Sequence, residues 1–269
     1  MSAEILDGRA IRDQILEEAK EKLAKLKEKP TLSIILVGND PASTIYVREK
    51  EKAAAKIGAE FRLIKKPSFV EQGELEGIIK KLNNDSKVRG IVVQKPLPKH
   101  INEEKIDKII ATEKDVDGLN PASNLYSTTA KGVIELLKRY KIKIEGKDAT
   151  VVGRSKLTGL PIALLLLEEN ATVTVCHKKT RNLKGKTLVA DILIAAAGVP
   201  KLIRADMVKP GAIVIDVGTT RIRGTKKLIG DVDFEEVKRV ASFISPVPGG
   251  VGPMTVAGLM MNLVQATTQ

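Results

Sequence analysis

Short apolar runs alternate with amphipathic stretches from one end of the chain to the other. The apolar runs are Leu32–Val37, Phe61–Ile64, Gly90–Gln94, Ala149–Gly153, Thr172–Cys176, Ile192–Ala195 and Ile213–Val217. They have strand length and are separated by helical spacing. Such alternation predicts an α/β protein with parallel-rich sheets covered by helices on both faces. No repeat, low-complexity segment or Pro/Ser-rich linker divides the chain. A boundary between two domains is placed near residues 118–128, where Asp117-Gly118 signals a turn and a polar stretch follows. The helical pattern Lys131–Tyr140 then reads as a bridge between domains, leading into a fresh strand at Ala149.

The 269 residues suffice for two modest domains with real cores. Hydrophobic residues at 43% and charged residues at 29% fit an ordinary soluble protein. No apolar run reaches the ~18 residues of a membrane span. The start, Met1-Ser2-Ala3-Glu4, lacks a basic region followed by an apolar one, so no signal peptide is expected. Cys176 is the single cysteine, which excludes an intramolecular disulfide and points to a reducing cytoplasm.

The net charge is +12, and a lysine-rich solvated surface accounts for most of the 45 basic residues. Steering of anionic ligands is the sharper reading. Nucleic acid is a poor candidate, because aromatics are 3% and acids lie among the spread basic residues. No membrane partner is expected. Two histidines and one cysteine, with no HExxH or CxxC pattern, predict no metal site.

Asp40-Pro41 reads as an N-cap followed by proline at the first helical position, and Gly58 as the stop. On the helix between them, Ser43, Tyr46, Val47, Ala53, Ala54 and Ile57 form one stripe at ~100° per residue. Lys50 falls in the middle of it, one turn after Tyr46. A buried ammonium is costly unless paired or neutralised, and a lysine of lowered pKa can exchange protons near neutrality. On this pattern alone a snorkelling lysine is the plainer reading, and Tyr46 is a core aromatic.

Gln94 ends an apolar strand just before Lys95-Pro96-Leu97-Pro98, at the carboxyl end where open α/β sheets present ligand-contacting residues. In Lys114-Asp115-Val116-Asp117-Gly118, two carboxylates flank one valine before a glycine turn. Turn chemistry explains them. So does a carboxylate that accepts paired hydrogen bonds from a flat N–H/NH₂ edge. Spacing does not choose between the two.

The strand at Ala149 runs into Gly153-Arg154-Ser155-Lys156-Leu157-Thr158-Gly159, then a helix begins near Leu160-Pro161. Ser155 stands where GxGxxG has its middle glycine, and the spacing is longer. The strand–glycine turn–helix–strand context still suits a dinucleotide, with the diphosphate at the helix start. An NAD site normally has an acidic residue at the end of the second strand. Here His177-Lys178-Lys179 stands there, with Arg154 able to approach, which favours the 2′-phosphate of NADP over a plain lysine-rich turn. Two further strands end in glycine, and Ala197-Gly198 and Val217-Gly218-Thr219 suit close backbone approach to a nicotinamide and its ribose.

Ser245-Pro-Val-Pro248-Gly249-Gly250-Val-Gly-Pro253-Met-Thr255 opens a last helix, with Pro253 near its first position. Stiffness combined with backbone room suits a ligand, and an interdomain hinge is the plainer alternative.

Together these segments resemble the bifunctional methylenetetrahydrofolate dehydrogenase/cyclohydrolase family over nearly the whole chain. The most specific matches are Val151–Ser155, Thr172–His177, Val208–Gly218 and Pro246–Thr255, with Tyr46–Lys50 and Lys114–Gly118 in the catalytic part. The resemblance implies a catalytic folate-binding domain over residues 1–122, with the helix 253–269 returning to it. It implies a Rossmann-like NADP-binding domain over residues 123–252, long helices joining the two, and usually a homodimer.

It makes Lys50 the key catalytic residue, with Tyr46 stacking near the aminobenzoate ring, Gln94 bonding Lys50, and Asp117 holding the pterin's amino edge. Pro248, Gly249 and Gly250 border the folate. Gly153, Arg154, Ser155, Gly159, His177, Lys178, Ala197, Gly198, Val217, Gly218 and Thr219 line the cofactor site. The implied substrates are tetrahydrofolate derivatives, which the basic surface would favour in polyglutamylated form. Three places depart from the family's usual pattern. Lys95 replaces a leucine, Ser127-Thr128-Thr129-Ala130 keeps only the threonine of Pro-Cys-Thr-Pro, and Lys178 replaces a serine.

Overall fold

The computed structural model describes residues 2–222, 225 and 227–268. The first half runs β1 (Glu4–Ile5), α1 (Gly8–Leu23), β2 (Thr31–Val37), α2 (Pro41–Ile57), β3 (Glu60–Lys66), α3 (Gln72–Asn84), β4 (Val88–Gln94) and α4 (Glu103–Ile109). A single 3₁₀ turn over Thr112–Lys114 precedes α5 (Thr128–Arg139). The chain continues through β5 (Asp148–Val152), α6 (Gly159–Glu168), β6 (Thr172–Cys176), α7 (Leu183–Thr187), β7 (Ile192–Ala195) and β8 (Ile213–Asp216). It ends with β9 (Thr220–Arg221), β10 (Leu228–Ile229), α8 (Phe234–Val237), β11 (Phe243–Ile244) and α9 (Val251–Thr268). All seven strands expected from the apolar runs form. No helix is long and apolar enough to cross a membrane among the described residues.

The chain divides into two compact units. One comprises Asp13–Thr128 and Val256–Gln269. Its parallel sheet has the order β3-β2-β4. Every residue of β2 is buried, as a central strand covered on both faces requires. One core layer joins Leu32, Ile34 and Leu36 to Val47, Ala54 and Ile57 of α2 and to Leu259, Met260 and Leu263 of α9. A second joins Ile35 and Val37 to Leu75 and Ile79 of α3 and to Ile106 of α4.

The other unit comprises Met1–Arg12 and Thr129–Thr255. Its sheet has the order β1-β11-β8-β7-β5-β6 among the described residues, and every pairing in it is parallel. A short antiparallel pair, β9 with β10, stands apart. Val152, Leu193, Ala195, Val214 and Ile244 form its core with Ile203, Val208 and Val237.

Sequence reading groups residues 1–122 in one domain, whereas Met1–Arg12 lie in the second unit. The reason is β1, whose Glu4 and Ile5 pair with Phe243 and Ile244 of β11. The capping of α1 belongs to the same unit. Asp7 Oδ1 accepts from the Arg9 and Ala10 amides at 2.9 and 3.3 Å, and the Asp7 amide donates to Tyr140 Oη at 2.8 Å. Strands of two residues carry no readable period, so neither β1 nor β11 shows in the apolar pattern.

Two helix starts also differ. Helix α5 opens at Thr128, three residues before the pattern suggests, where the Thr128 amide donates to the Asp117 carbonyl at 3.2 Å. Helix α9 opens at Val251, which puts Pro253 in the first turn, where a missing N–H costs no helical bond.

Candidate active site

Lys50 is the anomaly around which the first unit's site is built. Helix α2 starts as the sequence indicates, with Asp40 Oδ2 accepting from the Ser43 amide at 2.7 Å and from Ser43 Oγ at 2.8 Å. It stops at Gly58, which takes the left-handed conformation at φ 80°. Lys50 is 5% exposed, between Val47 and Ala53 on the buried stripe. Its ammonium does not snorkel to water, because Nζ donates to Gln94 Oε1 at 3.0 Å. Gln94 Nε2 donates to the Lys95 carbonyl at 2.9 Å, which fixes the amide with its oxygen toward Lys50. Tyr46, one turn earlier on α2, is 38% exposed, so its ring is open to a planar partner rather than sealed in the core.

The Lys114–Gly118 segment separates into structural and available groups. Lys114 is structural. Its Nζ donates to the carbonyls of Leu82, Asn83 and Asp85 at 3.1, 2.6 and 2.8 Å, capping the end of α3, and burial lowers its pKa. Asp115 is fully buried. Its Oδ2 accepts from the Asn120 amide at 2.8 Å, its Oδ1 has no partner, and burial raises its carboxyl to about 6. Asp117 is half-buried and accepts from Thr128 Oγ1 at 3.0 Å. Thr128 stands where the family's usual pattern has cysteine, beside the retained Thr129, so the altered segment brings its own hydroxyl to Asp117.

The loop holding Asp117 is pinned from α9. Asn262, fully buried, donates to the Val116 and Tyr126 carbonyls at 2.9 and 2.8 Å. Gly90 of β4 lies directly beneath, where a Cβ would press on Val116 Cγ2 at 2.9 Å and Leu263 Cδ1 at 3.0 Å. Gly118 has φ +67°, and a Cβ there would overlap the Tyr126 backbone.

Lys95 departs from the usual pattern and brings its own partners. Its Nζ donates to Asp107 Oδ2 at 2.6 Å and lies 3.4 Å from Glu103 Oε2. Glu103 Oε1 accepts from the Leu97 amide at 2.9 Å, so the cation and both carboxylates clamp the Pro96–Pro98 turn onto α4. Burial raises the Asp107 carboxyl, against the pull of Lys95.

In the second unit, Gly153 follows β5 at φ +131°, buried, with its Cβ position overlapping the Ala196 carbonyl. Gly159 opens α6 with its own Cβ position against the Gly153 carbonyl. Both glycines are demanded by close backbone approach, and the loop between them exposes Arg154 and Ser155. After β6, the His177 amide donates to Thr180 Oγ1 at 2.8 Å and His177 Nδ1 accepts from the Lys179 amide at 3.1 Å. The ring is thereby oriented as an acceptor at Nδ1, with Lys178 exposed beside it. Backbone amides at a helix start, a glycine cradle and a cationic turn at the next strand fit a phosphorylated dinucleotide.

Ala197 and Gly198 are exposed after β7, and Val217, Gly218 and Thr219 follow β8. Asp216 and Asp231, which the sequence does not single out, organise these turns. Asp216 accepts from the amides of Gly218 and Asp231 at Oδ1, both at 3.0 Å, and of Val232 at Oδ2, 2.9 Å. Burial pushes its carboxyl up to about 7 despite these three donors. The visible signal was an aspartate closing each of the apolar stretches Ile213–Asp216 and Leu228–Asp231.

The Pro248-Gly249-Gly250 loop follows a cis Val247-Pro248 bond. Pro248 is exposed and both glycines are buried. The Gly250 carbonyl fills the Cβ position of Gly8, so the first turn of α1 buttresses this loop. The structure joins Lys50 to Gln94 directly, aligns Tyr46 on the same helix, and bonds Asp117 to Thr128. The residues expected at the cofactor lie at the carboxyl ends of β5, β6, β7 and β8.

Comparison with known proteins gives the same picture. Residues 6–117 match the family model described as tetrahydrofolate dehydrogenase/cyclohydrolase, catalytic domain. Residues 127–269 match its NAD(P)-binding domain. The "Bifunctional protein FolD" of Exiguobacterium sibiricum is 50% identical, covering 98% of this chain and 99% of that protein. The crystal structure of the bifunctional FolD methylenetetrahydrofolate dehydrogenase/cyclohydrolase from Campylobacter jejuni superposes with a TM-score of 0.96 at 45% identity, covering 99% of each chain. The Trypanosoma brucei enzyme, solved with NADP cofactor and an inhibitor, superposes with a TM-score of 0.95 at 38% identity, covering 100% of this chain and 98% of that one. The chain belongs to the tetrahydrofolate dehydrogenase/cyclohydrolase family.

Proposed function

We propose that the protein oxidises 5,10-methylenetetrahydrofolate to 5,10-methenyltetrahydrofolate with NADP⁺ and then hydrolyses the product to 10-formyltetrahydrofolate. The observation that carries this reading is the buried Lys50 bonded to Gln94, in a chain that the family's two domain models match over residues 6–117 and 127–269. Residues 1–122 with the last helix supply the folate chemistry, and residues 123–252 the cofactor site, apart from the Met1–Arg12 segment noted above.

Bound NADP⁺ supplies the hydride acceptor for the first reaction. Gly153, Ser155 and Gly159 would hold the diphosphate, and His177 and Lys178, with Arg154 able to approach, the 2′-phosphate. Ala197, Gly198, Val217, Gly218 and Thr219 border the nicotinamide half. The folate nitrogens stabilise the cation left after hydride loss, so the protein's task is to position the reactants.

The second reaction adds water to the methenyl carbon, opens the ring and releases one proton. Lys50 Nζ is the group that moves a proton there, held in place by Gln94 Oε1. Tyr46 stacks on the aminobenzoate ring, Asp117 accepts from the pterin N–H/NH₂ edge, and Pro248, Gly249 and Gly250 border the folate.

The net charge of +12 favours polyglutamylated substrates. The enzyme acts as a cytoplasmic homodimer supplying formyl groups for purine biosynthesis, without nucleic-acid or membrane partners. Exposed Leu157, Leu160, Leu164 and Leu167 at α6, with Val175 on the edge strand β6, suit burial against a second copy.

A coupled assay tests the reading. NADPH and methenyltetrahydrofolate absorbance are followed together from methylenetetrahydrofolate and NADP⁺, with NAD⁺ in parallel. NADPH formation with little methenyl accumulation is expected. Absence of turnover with either cofactor, in folded protein, refutes it.

A further inference from the structure

Asp231 is fully buried, yet packing gives no reason for a carboxylate there. Its Oδ2 accepts from the Ala197 and Gly198 amides at 2.6 and 2.8 Å. Its Oδ1 has no partner and lies against Gly218, where a Cβ would overlap it. A buried charge with an unsatisfied oxygen costs the fold stability that an apolar side chain would not.

What the carboxylate does accomplish is geometric. It draws the amides of residues 197 and 198 inward, and in a trans peptide the Ala196 carbonyl then points the opposite way, onto Gly153. The Asp231 amide donates to Asp216, whose carboxylate also accepts from Gly218. One side chain thus sets the turn after β7, abuts the turn after β8 and, through Ala196, backs the glycine loop after β5.

We propose that Asp231 is a positioning residue for the nicotinamide half of the cofactor, acting through the backbone of the 197–198 and 217–219 turns. This rests on the reading of those turns as the cofactor's border. The sheet order separates the two halves of the ligand. β6, with His177 and Lys178 after it, lies on one side of β5, and β7 and β8 lie on the other. A dinucleotide bound across β5 places its adenosine half on the β6 side and its nicotinamide half on the side that Asp231 controls.

The test compares two ligands by calorimetry on the full chain, NADP⁺ and adenosine 2′,5′-bisphosphate. Asp231→Ala leaves two amides without an acceptor. NADP⁺ is expected to bind at least about tenfold more weakly, while the bisphosphate stays within about twofold. Equal losses for both ligands, or unchanged NADP⁺ affinity, overturn the proposal. If the alanine variant does not fold, Asp231→Asn carries the test. It retains the shape and one acceptor oxygen but exchanges charge-assisted bonds for neutral ones, and a selective loss of about two- to fivefold is expected. A loss without selectivity, or none, overturns the proposal. Wild-type protein that fails to bind NADP⁺ would instead refute the cofactor reading itself.

Discussion

Lys50 Nζ and Gln94 Oε1, 3.0 Å apart, join the middle of α2 to the carboxyl end of β4. Gln94 answers to two neighbours at once, since its Nε2 donates to the Lys95 carbonyl. A flipped amide would face an ammonium with its NH₂ and a carbonyl with its oxygen, losing both contacts. The Lys50 head group is therefore held at one point rather than free to sample rotamers, as the proposed proton-transfer role requires.

Lys50→Met tests that role. Methionine fills the volume of the lysine stem without its charge, so the fold should tolerate it. Hydrolysis of methenyltetrahydrofolate is expected to fall by at least about 100-fold, the usual reach of a positioned proton-transfer group. NADP⁺ affinity should stay within about twofold. Methenyl hydrolysis at the wild-type rate in this variant would remove Lys50 from the mechanism.

Lys95 and Asp107 form an ion pair whose side chains are 12% and 11% exposed. Lys95→Leu leaves Asp107 with a carboxylate facing apolar surroundings, and the expected cost is about 3 kcal/mol in urea unfolding. Lys95→Leu combined with Asp107→Leu should recover most of that loss, because an apolar pair of similar volume needs no desolvated charge. Additive effects of the two substitutions would mean the pair is not coupled.

Burial raises two carboxyls far above their unfolded value of about 4, Asp115 to about 6 and Asp216 to about 7. The folded state then binds more protons than the unfolded one between about pH 4 and 7. The stabilisation is complete below that window and disappears as pH rises through it. Asp85, Asp191 and Asp206 are shifted the other way by Arg62, Lys209 and Lys184, and their contribution is lost only in stronger acid. The thermal midpoint should therefore decline from pH 5 to pH 8 and the decline should flatten in Asp115→Asn and Asp216→Asn. A midpoint that climbs over that range would contradict this account.

Periodicity revealed most of the scaffold because the central strands are apolar on both faces and the helices carry one stripe each. It exposed Lys50 as well, since a cation inside an apolar stripe breaks the pattern that defines it. Pattern alone favoured a snorkelling lysine, and only the 3.0 Å contact with Gln94, which lies 44 residues along the chain, removes that reading. The family resemblance supplied what spacing could not, the choice of folate and the division of labour between the units. Asp216, Asp231 and Asn262 stayed hidden because their function lies in backbone groups brought close only by folding. Lys95 was recognisable as a departure, but its compensation by Asp107 depends on how α4 turns back toward the strand end.

Helix α9 ends the chain, yet Leu259, Met260 and Leu263 belong to the core of β2 and α2, and Asn262 holds the loop that carries Asp117. During synthesis Asp13–Thr128 leaves the ribosome well before α9, so that unit lacks one wall of its core until α9 is made. The nascent segment must wait, partly open, while strands β5 to β11 are made. A premature stop within α9 would therefore harm a unit whose other residues lie more than a hundred positions earlier.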